Sequence, residues 1–270
     1  MKNILLLNKK EGETPLEVLN SFRVKNKKYQ NIKMTYAGRL DPMASGLLVV
    51  LVGEEVRNKE KYLALDKEYE FEILFGFSTD TYDILGKITH GLIRTNRRIV
   101  NRDDLEEKIK ENLEFFIGKF IQKYPMYSSK TVAGKSLFVY ARAGKVVESP
   151  RHEVNVESLK FLKLRKINAK NLLENIEKRI AKVHGPARNA KGIAFAGGDF
   201  RQEEILKIWR KKLQIHIKTG NKFFLVSFHI KCGSGTYVRS IANDLGQKMN
   251  IPALAFSIKR TKIGNWKQVG

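Results

Sequence analysis

Residues 67–77 read KEYEFEILFGF. Apolar and charged side chains alternate along them. Tyr69, Phe71, Ile73 and Phe75 share one face, and Glu68, Glu70 and Glu72 share the other. A two-residue period is the signature of a strand with one buried face and one wet face. Working outward, residues 4–7, 47–52, 154–164, 223–231 and 255–262 also read as strands. Gly53 closes the second of these, and the flexible Gly233-Ser234-Gly235 turn follows the fourth.

Helical signals sit between the strands. Thr14-Pro15 is an N-cap followed by proline at the first helical position, which opens a helix to about Phe22. Residues 25–33 read as a polar loop and 38–42 as a turn-rich stretch. Asp103 or Asp104 can cap an amphipathic helix through Phe116 that ends near Gly118. A short helix is expected over 136–143 and a longer one over 236–249. Strands dominate, helices flank them and the order is mixed. The expected fold class is α+β, with a mixed, mostly antiparallel sheet.

The chain has 270 residues, enough for one large domain or two modest ones. Its apolar fraction of 42% is ordinary for a folded protein. Charge is what stands out: 51 Lys and Arg against 28 Asp and Glu give +23. Such a field attracts polyanions, and RNA, DNA and acidic membrane are the partners it suits. A solvated basic surface without a partner would show the same composition.

Several classes are excluded or disfavoured. Cys232 is the one cysteine, so an intramolecular disulfide and a multi-cysteine zinc site are impossible. His90, His152, His184, His216 and His229 show no metal-ligand spacing. The longest apolar run, 47–52, is too short to span a bilayer. Residues 1–10 do not resemble a signal peptide. The protein is expected to be cytoplasmic, with no metal, no cofactor, no membrane contact and no obligate protein partner.

Residues 165–222 differ in texture, with 15 Lys and Arg against 5 Asp and Glu, a net +10. Helical patterns run over 170–183 and 201–213, with a glycine-containing loop over 185–198 between them. The stretch reads as a basic, largely helical insertion. It either holds RNA phosphates or is a solvated decoration. The remainder, 1–164 and 223–270, forms the main domain.

GRLDPMASG, residues 38–46, is the densest local signal. Glycines and small side chains let backbone approach a ligand closely. Asp41, preceding Pro42, is pushed toward extended backbone. Local chemistry alone leaves two roles open: a turn aspartate bonded to its own backbone, or a carboxylate presented by a rigid loop.

The stretch GRLDPMASGLLVVLVG resembles the GxLDPxAxGxLxxxxG signature of TruB-type pseudouridine synthases. Four more blocks follow that family's order: NILLLNKKEGETPLEVL, KEYEFEILFGFSTDTYDILG, PMYSSKTVAGKSLFVYARAG and KCGSGTYVRSIANDLG. Together the blocks cover most of 3–164 and 223–262. The resemblance implies the pseudouridine synthase fold and the isomerisation of a flipped-out uridine in RNA. The implied substrate is the T-loop uridine of tRNA (the pseudouridine-55 type), with the tRNA T-arm as partner.

The resemblance also implies roles. Asp41 becomes the catalytic carboxylate, held ionised in a dry pocket. Arg239, in GTYVRS, pairs with it. Tyr69 stacks on the extruded base and serves late proton transfer. Tyr237 and Ile258 line the uracil pocket. Lys9 braces the site or meets a phosphate, and Asp83 contacts the nucleotide. Tyr36 stands where relatives carry a histidine that helps displace the base, and tyrosine cannot be charged near neutral pH. Lys10 replaces the proline of the family's KP pair, which is expected to loosen that turn. Most relatives carry a carboxy-terminal PUA domain. This chain stops about where it would begin, and the basic insertion would substitute for its grip. Two other functions fit the same residues: the same chemistry on rRNA or a guide-directed target, and an RNA-binding or RNA-folding protein without catalysis.

Overall fold

The structure is a computed structural model that describes residues 2–91, 101–183 and 200–268. The loop expected over 185–198 lies outside these residues. In chain order the first elements are β1 (Ile4–Lys9), α1 (Pro15–Lys25), β2 (Met34–Ala37), β3 (Ala44–Val52), α2 (Lys59–Leu63) and β4 (Lys67–Phe75). Next come β5 (Phe77–Thr79), β6 (Ile88–Gly91), α3 (Arg102–Leu113), β7 (Gly118–Lys123), β8 (Thr131–Val132), β9 (Lys135–Ser136) and α4 (Leu137–Arg142). The last are β10 (Arg151–Asn168), α5 (Ala169–Lys182), α6 (Gln202–Lys218), β11 (Lys222–Cys232), α7 (Val238–Lys248), β12 (Ala253–Ile263) and β13 (Trp266–Lys267).

Seven strands form the main path of one sheet in the order β1-β3-β12-β4-β11-β10-β7, with β2 added to β3 and β13 to β12. The β12–β3 pairing is parallel, through Ile258–Ala44, Lys259–Ser45 and Arg260–Gly46. The other pairings in this sheet are antiparallel. This is the mixed, mostly antiparallel α+β sheet expected from the alternation.

Strand β4 shows why the pattern is as it is. Tyr69, Phe71, Ile73 and Phe75 enter the cluster formed with α3 and α7, through Leu105, Ile109, Ile241 and Leu245. On the opposite face Glu72 accepts from Ser227, Ser257 and Arg165. Alternation then stops at Ile73-Leu74-Phe75, because the second face is also covered there. Leu74 joins a second cluster with Leu172, Ile176 and Ile180 of α5 and Ile205, Trp209 and Leu213 of α6. Helices α5 and α6 are therefore packed onto the second face of the sheet.

Element boundaries show what local signals miss. Thr14 caps α1 in a capping box with Glu17, as its sequence suggests. Helix α1 runs on to Lys25, past the expected end. Asn101, not Asp103 or Asp104, caps α3 by accepting from the Asp104 amide at 2.8 Å. Strand β2 was not expected: MTYA is short and carries no clear alternation, and its pairing with Val49–Val52 creates it. Strand β10 extends to 18 residues because it pairs β7 at one end and β11 at the other. Among the described residues no helix is long and apolar enough to cross a membrane.

Candidate active site

The loop between β2 and β3 carries Asp41. It is held from beneath by two buried cations that donate to backbone carbonyls. Lys9 ends β1 and is 0% exposed. Its ammonium donates to the carbonyls of Lys10 at 3.0 Å, Pro42 at 3.3 Å and Ala44. Burial lowers its pKa to about 8, and the charge of Asp41 works against that shift. Arg260, on β12, donates to the Leu47 carbonyl at 2.8 Å and to the Gly38 carbonyl at 3.1 Å. It thus ties the start of the loop to β3. Gly46 permits this approach, since a Cβ there would lie 2.2 Å from the Arg260 carbonyl oxygen.

Arg239, near the start of α7, reaches Asp41 across 198 residues of sequence. Its Nε donates to Oδ2 at 2.7 Å, and its Nη2 lies 3.4 Å from Oδ1. The same guanidinium donates to the carbonyls of Thr81 and Tyr127, both at 2.8 Å. These bonds satisfy a buried cation and fix its plane. Burial opposes the Arg239 charge, but Asp41 and Asp83 outweigh it and raise its pKa. The pair is lopsided in exposure: the Arg239 side chain is 3% exposed and that of Asp41 is 38%. The Asp41 carboxylate is therefore partly open to solvent while its partner is enclosed.

Aromatic residues border the carboxylate. Tyr69, on β4, is buried, and its hydroxyl is hydrogen-bonded with Arg260. Burial raises its pKa, Arg260 pulls it down, and nearby Asp41 raises it further. Tyr237 caps α7 beneath the Arg239 guanidinium, whose centre lies 5.8 Å from the ring centroid. Gln122 clamps the Tyr237 backbone by accepting from its amide at 2.8 Å and donating to its carbonyl at 3.2 Å. The Tyr124 ring meets Tyr237 edge-on at 5.7 Å. Ile258 sits on β12 in register with Ala44 and Phe71, and belongs to the cluster that includes Leu40, Met43 and Tyr69.

Lys9 and Asp83 both lie inside the protein. Lys9 is fully buried, with its ammonium on the carbonyls of the Asp41 loop. Asp83 is also buried. Its Oδ1 accepts from the Thr81 hydroxyl at 2.7 Å and the Leu85 amide at 2.9 Å. Burial raises its pKa to about 6, with Arg239 and the Thr81 hydrogen bond pulling the other way. Tyr36 lies half-buried on β2 against the cluster of Val18, Leu19 and Tyr29. The loosening expected from Lys10 is offset by its amide donating to Glu13 at 2.7 Å. Arg260 escaped sequence inspection because one arginine among 51 basic residues carries no visible mark. The Thr81 and Tyr127 carbonyls escaped because backbone groups have no sequence signature. Among the described residues no group of three or more His, Cys, Asp or Glu is arranged to hold a metal ion.

Known proteins share much of this chain. The model of the TruB family pseudouridylate synthase N-terminal domain matches residues 25–179. A tRNA pseudouridine synthase B of Borreliella afzelii (strain PKo) is 31% identical over 261 residues, covering 96% of this chain and 69% of that protein. Its counterpart in Ligilactobacillus salivarius (strain UCC118) is 29% identical over 270 residues, covering 100% and 70%. Among solved structures, a Cbf5-Nop10-Gar1 complex matches with a TM-score of 0.53 at 18% identity, over 98% of this chain and 50% of that one. An H/ACA RNP bound to a substrate RNA containing 2′-deoxyuridine gives 0.52 at 17%, over 98% and 49%. The chain thus spans about half the length of these solved chains, and that likeness is one of fold.

Proposed function

The chain belongs to the TruB family of pseudouridylate synthases, and on that ground we propose that it isomerises a T-loop uridine of tRNA, with Asp41 as the catalytic carboxylate. The observation that carries this is the Asp41–Arg239 pair, a partly exposed carboxylate held by a buried, four-bonded guanidinium. The reaction breaks the bond between uracil N1 and ribose C1′ and forms one between C5 and C1′. The C5 proton leaves and N1 gains one, so no co-reactant is required.

Each side chain then has a task. Asp41 presents its carboxylate to the nucleotide, since the side chain is 38% exposed. Attack at C1′, attack at C6 and removal of a ribose proton all begin from a carboxylate oxygen. Arg239 orients it. The Tyr69 ring stacks on the extruded uracil, and its hydroxyl, bonded with Arg260, relays the proton that leaves C5. Tyr237 and Ile258 bound the base, and Tyr36 stands at the side from which it is displaced. Extrusion costs a few kcal/mol of unstacking, which a loop nucleotide has partly met already. The exposed cations of the 165–222 stretch contribute to the hold on tRNA phosphates, in the cytoplasm where tRNA is found.

The test is incubation with unmodified tRNA, followed by site-resolved mapping of pseudouridine. Wild-type protein is expected to mark the T-loop uridine. Asp41→Asn is expected to lose activity by more than about 10³-fold with tRNA affinity nearly unchanged. An Asp41→Asn variant at wild-type rate would overturn the catalytic assignment. Marks elsewhere, or only with a guide RNA, would move the substrate to rRNA or a guided target. No mark at all would leave an RNA-binding protein.

A further inference from the structure

We propose that the helical pair α5/α6 is a positioning element for catalysis, gripping from outside the two supports that hold Asp41 and Arg239. This rests on Asp41 being the catalytic carboxylate.

The first support is the segment Lys9–Gly12. It carries the Asp41 loop through the Gly12 amide, which donates to the Pro42 carbonyl at 2.8 Å, and through the Lys9 ammonium. The last turn of α5 abuts this segment backbone to backbone. A Cβ on Gly12, whose φ is +94°, would lie 2.3 Å from the Lys182 carbonyl oxygen and 2.7 Å from its carbonyl carbon. Only glycine allows that approach. Beside it, the Glu11 carboxylate takes Arg179 at 3.2 Å and Lys182 at 3.3 Å. Arg179 also donates to the Phe256 carbonyl and lies 4.3 Å over the Phe256 ring, two residues from Ile258.

The second support is the pair of carbonyls, Thr81 and Tyr127, that receive Arg239. Arg201, at the N-cap of α6, touches both neighbourhoods. Its guanidinium bonds Asp80 at 2.6 Å, next to Thr81, and lies 4.5 Å over the Tyr127 ring. The two supports are joined inside the helical pair. Gln202 donates to the carbonyls of Ile180 at 2.9 Å and Val183, tying the start of α6 to the end of α5. Ile176, Ile180 and Trp209 seat the pair on the sheet. A close-packed body of this kind transmits displacement instead of absorbing it.

Displacing a reacting group by about 1 Å can cost about 10²-fold in rate. The experiment uses the full chain with unmodified tRNA and measures kcat, KM and thermal melting for Gly12→Ala, Glu11→Gln, Arg201→Ala, Arg201→Lys and Asp41→Asn. Gly12→Ala and Arg201→Ala are expected to lose about 10- to 100-fold in kcat, with KM changed by less than about threefold. Arg201→Lys is expected to recover part of that loss. Glu11→Gln, which leaves the backbone contact intact, is expected to lose less; it stands in for Gly12→Ala should that variant fail to fold. Wild-type kcat in Gly12→Ala, or in Glu11→Gln where it stands in, and in Arg201→Ala would sink the proposal if Asp41→Asn is inactive. So would a loss confined to KM, which would make these residues RNA contacts. An active Asp41→Asn would instead remove the catalytic assignment beneath it.

Discussion

At residue 83 a carboxyl group stands inside the protein one shell away from the Asp41–Arg239 pair. Its pKa, raised from 3.8 to about 6 mainly by burial, places a charge change within reach of ordinary assay conditions. The folded state holds the Asp83 proton more tightly than the unfolded chain does. The stability associated with this group is therefore full below about pH 4 and is lost as pH rises through about 6. Its effect on activity should run the other way. Below pH 6 a neutral Asp83 leaves Asp41 alone to balance Arg239, and the tighter hold makes Asp41 less available. We expect kcat to fall as pH drops through about 6, and Asp83→Asn to flatten that limb of the profile. An unaltered limb in the variant would assign it to another group.

At the scale of elements, α6 is decided by its apolar stripe. Ile205, Trp209 and Leu213 recur every four residues and face the sheet, while Lys207, Lys211 and Lys212 face water. The Trp209 ring meets Phe77 at 5.2 Å and is fully enclosed. Trp209→Ala should destabilise the fold by about 3–5 kcal/mol, read from urea unfolding, because it removes transfer energy and leaves a cavity. A change below about 1 kcal/mol would mean that α6 is not part of the cooperative core. Removing residues 166–221 would for the same reason uncover Leu74, Phe223, Leu225, Leu254 and Phe256. The charge of this stretch is therefore better tested by surface substitution than by deletion.

Over the whole molecule, +23 of net charge acts at a distance. Binding of tRNA should weaken steeply with salt as counterions leave the phosphates. Replacing Lys207, Lys211, Lys212 and Lys218 together by Gln should lower the slope of log affinity against log salt by about 0.7–0.9 for each phosphate no longer neutralised. Titration of tRNA binding at several salt concentrations gives that slope. An unchanged value would make α6 a structural element alone, with its lysines merely solvated.

Much of the fold was legible in the chain because its periods are strong. The alternation over 67–77, the five ordered blocks and the Thr14-Pro15 cap are local features, and local features survive without knowledge of what packs where. Strand β2, the full length of β10 and the cap at Asn101 were not legible, since partners across the sheet or one stronger cap settled them. The site divides in the same way. Asp41, Arg239, Tyr69 and Tyr237 could be named from motifs, and the structure bonds Arg239 to Asp41 with the Tyr237 ring beneath it. That Lys9 and Asp83 are buried, that Arg260 ties the start of the loop to β3, and that α5 presses on Gly12 depend on contacts between residues far apart in the chain. Sequence determines which groups exist and which stretches can fold locally. Burial, bond direction and the choice of partner arise only when distant segments close on one another, so only the tertiary structure could decide them.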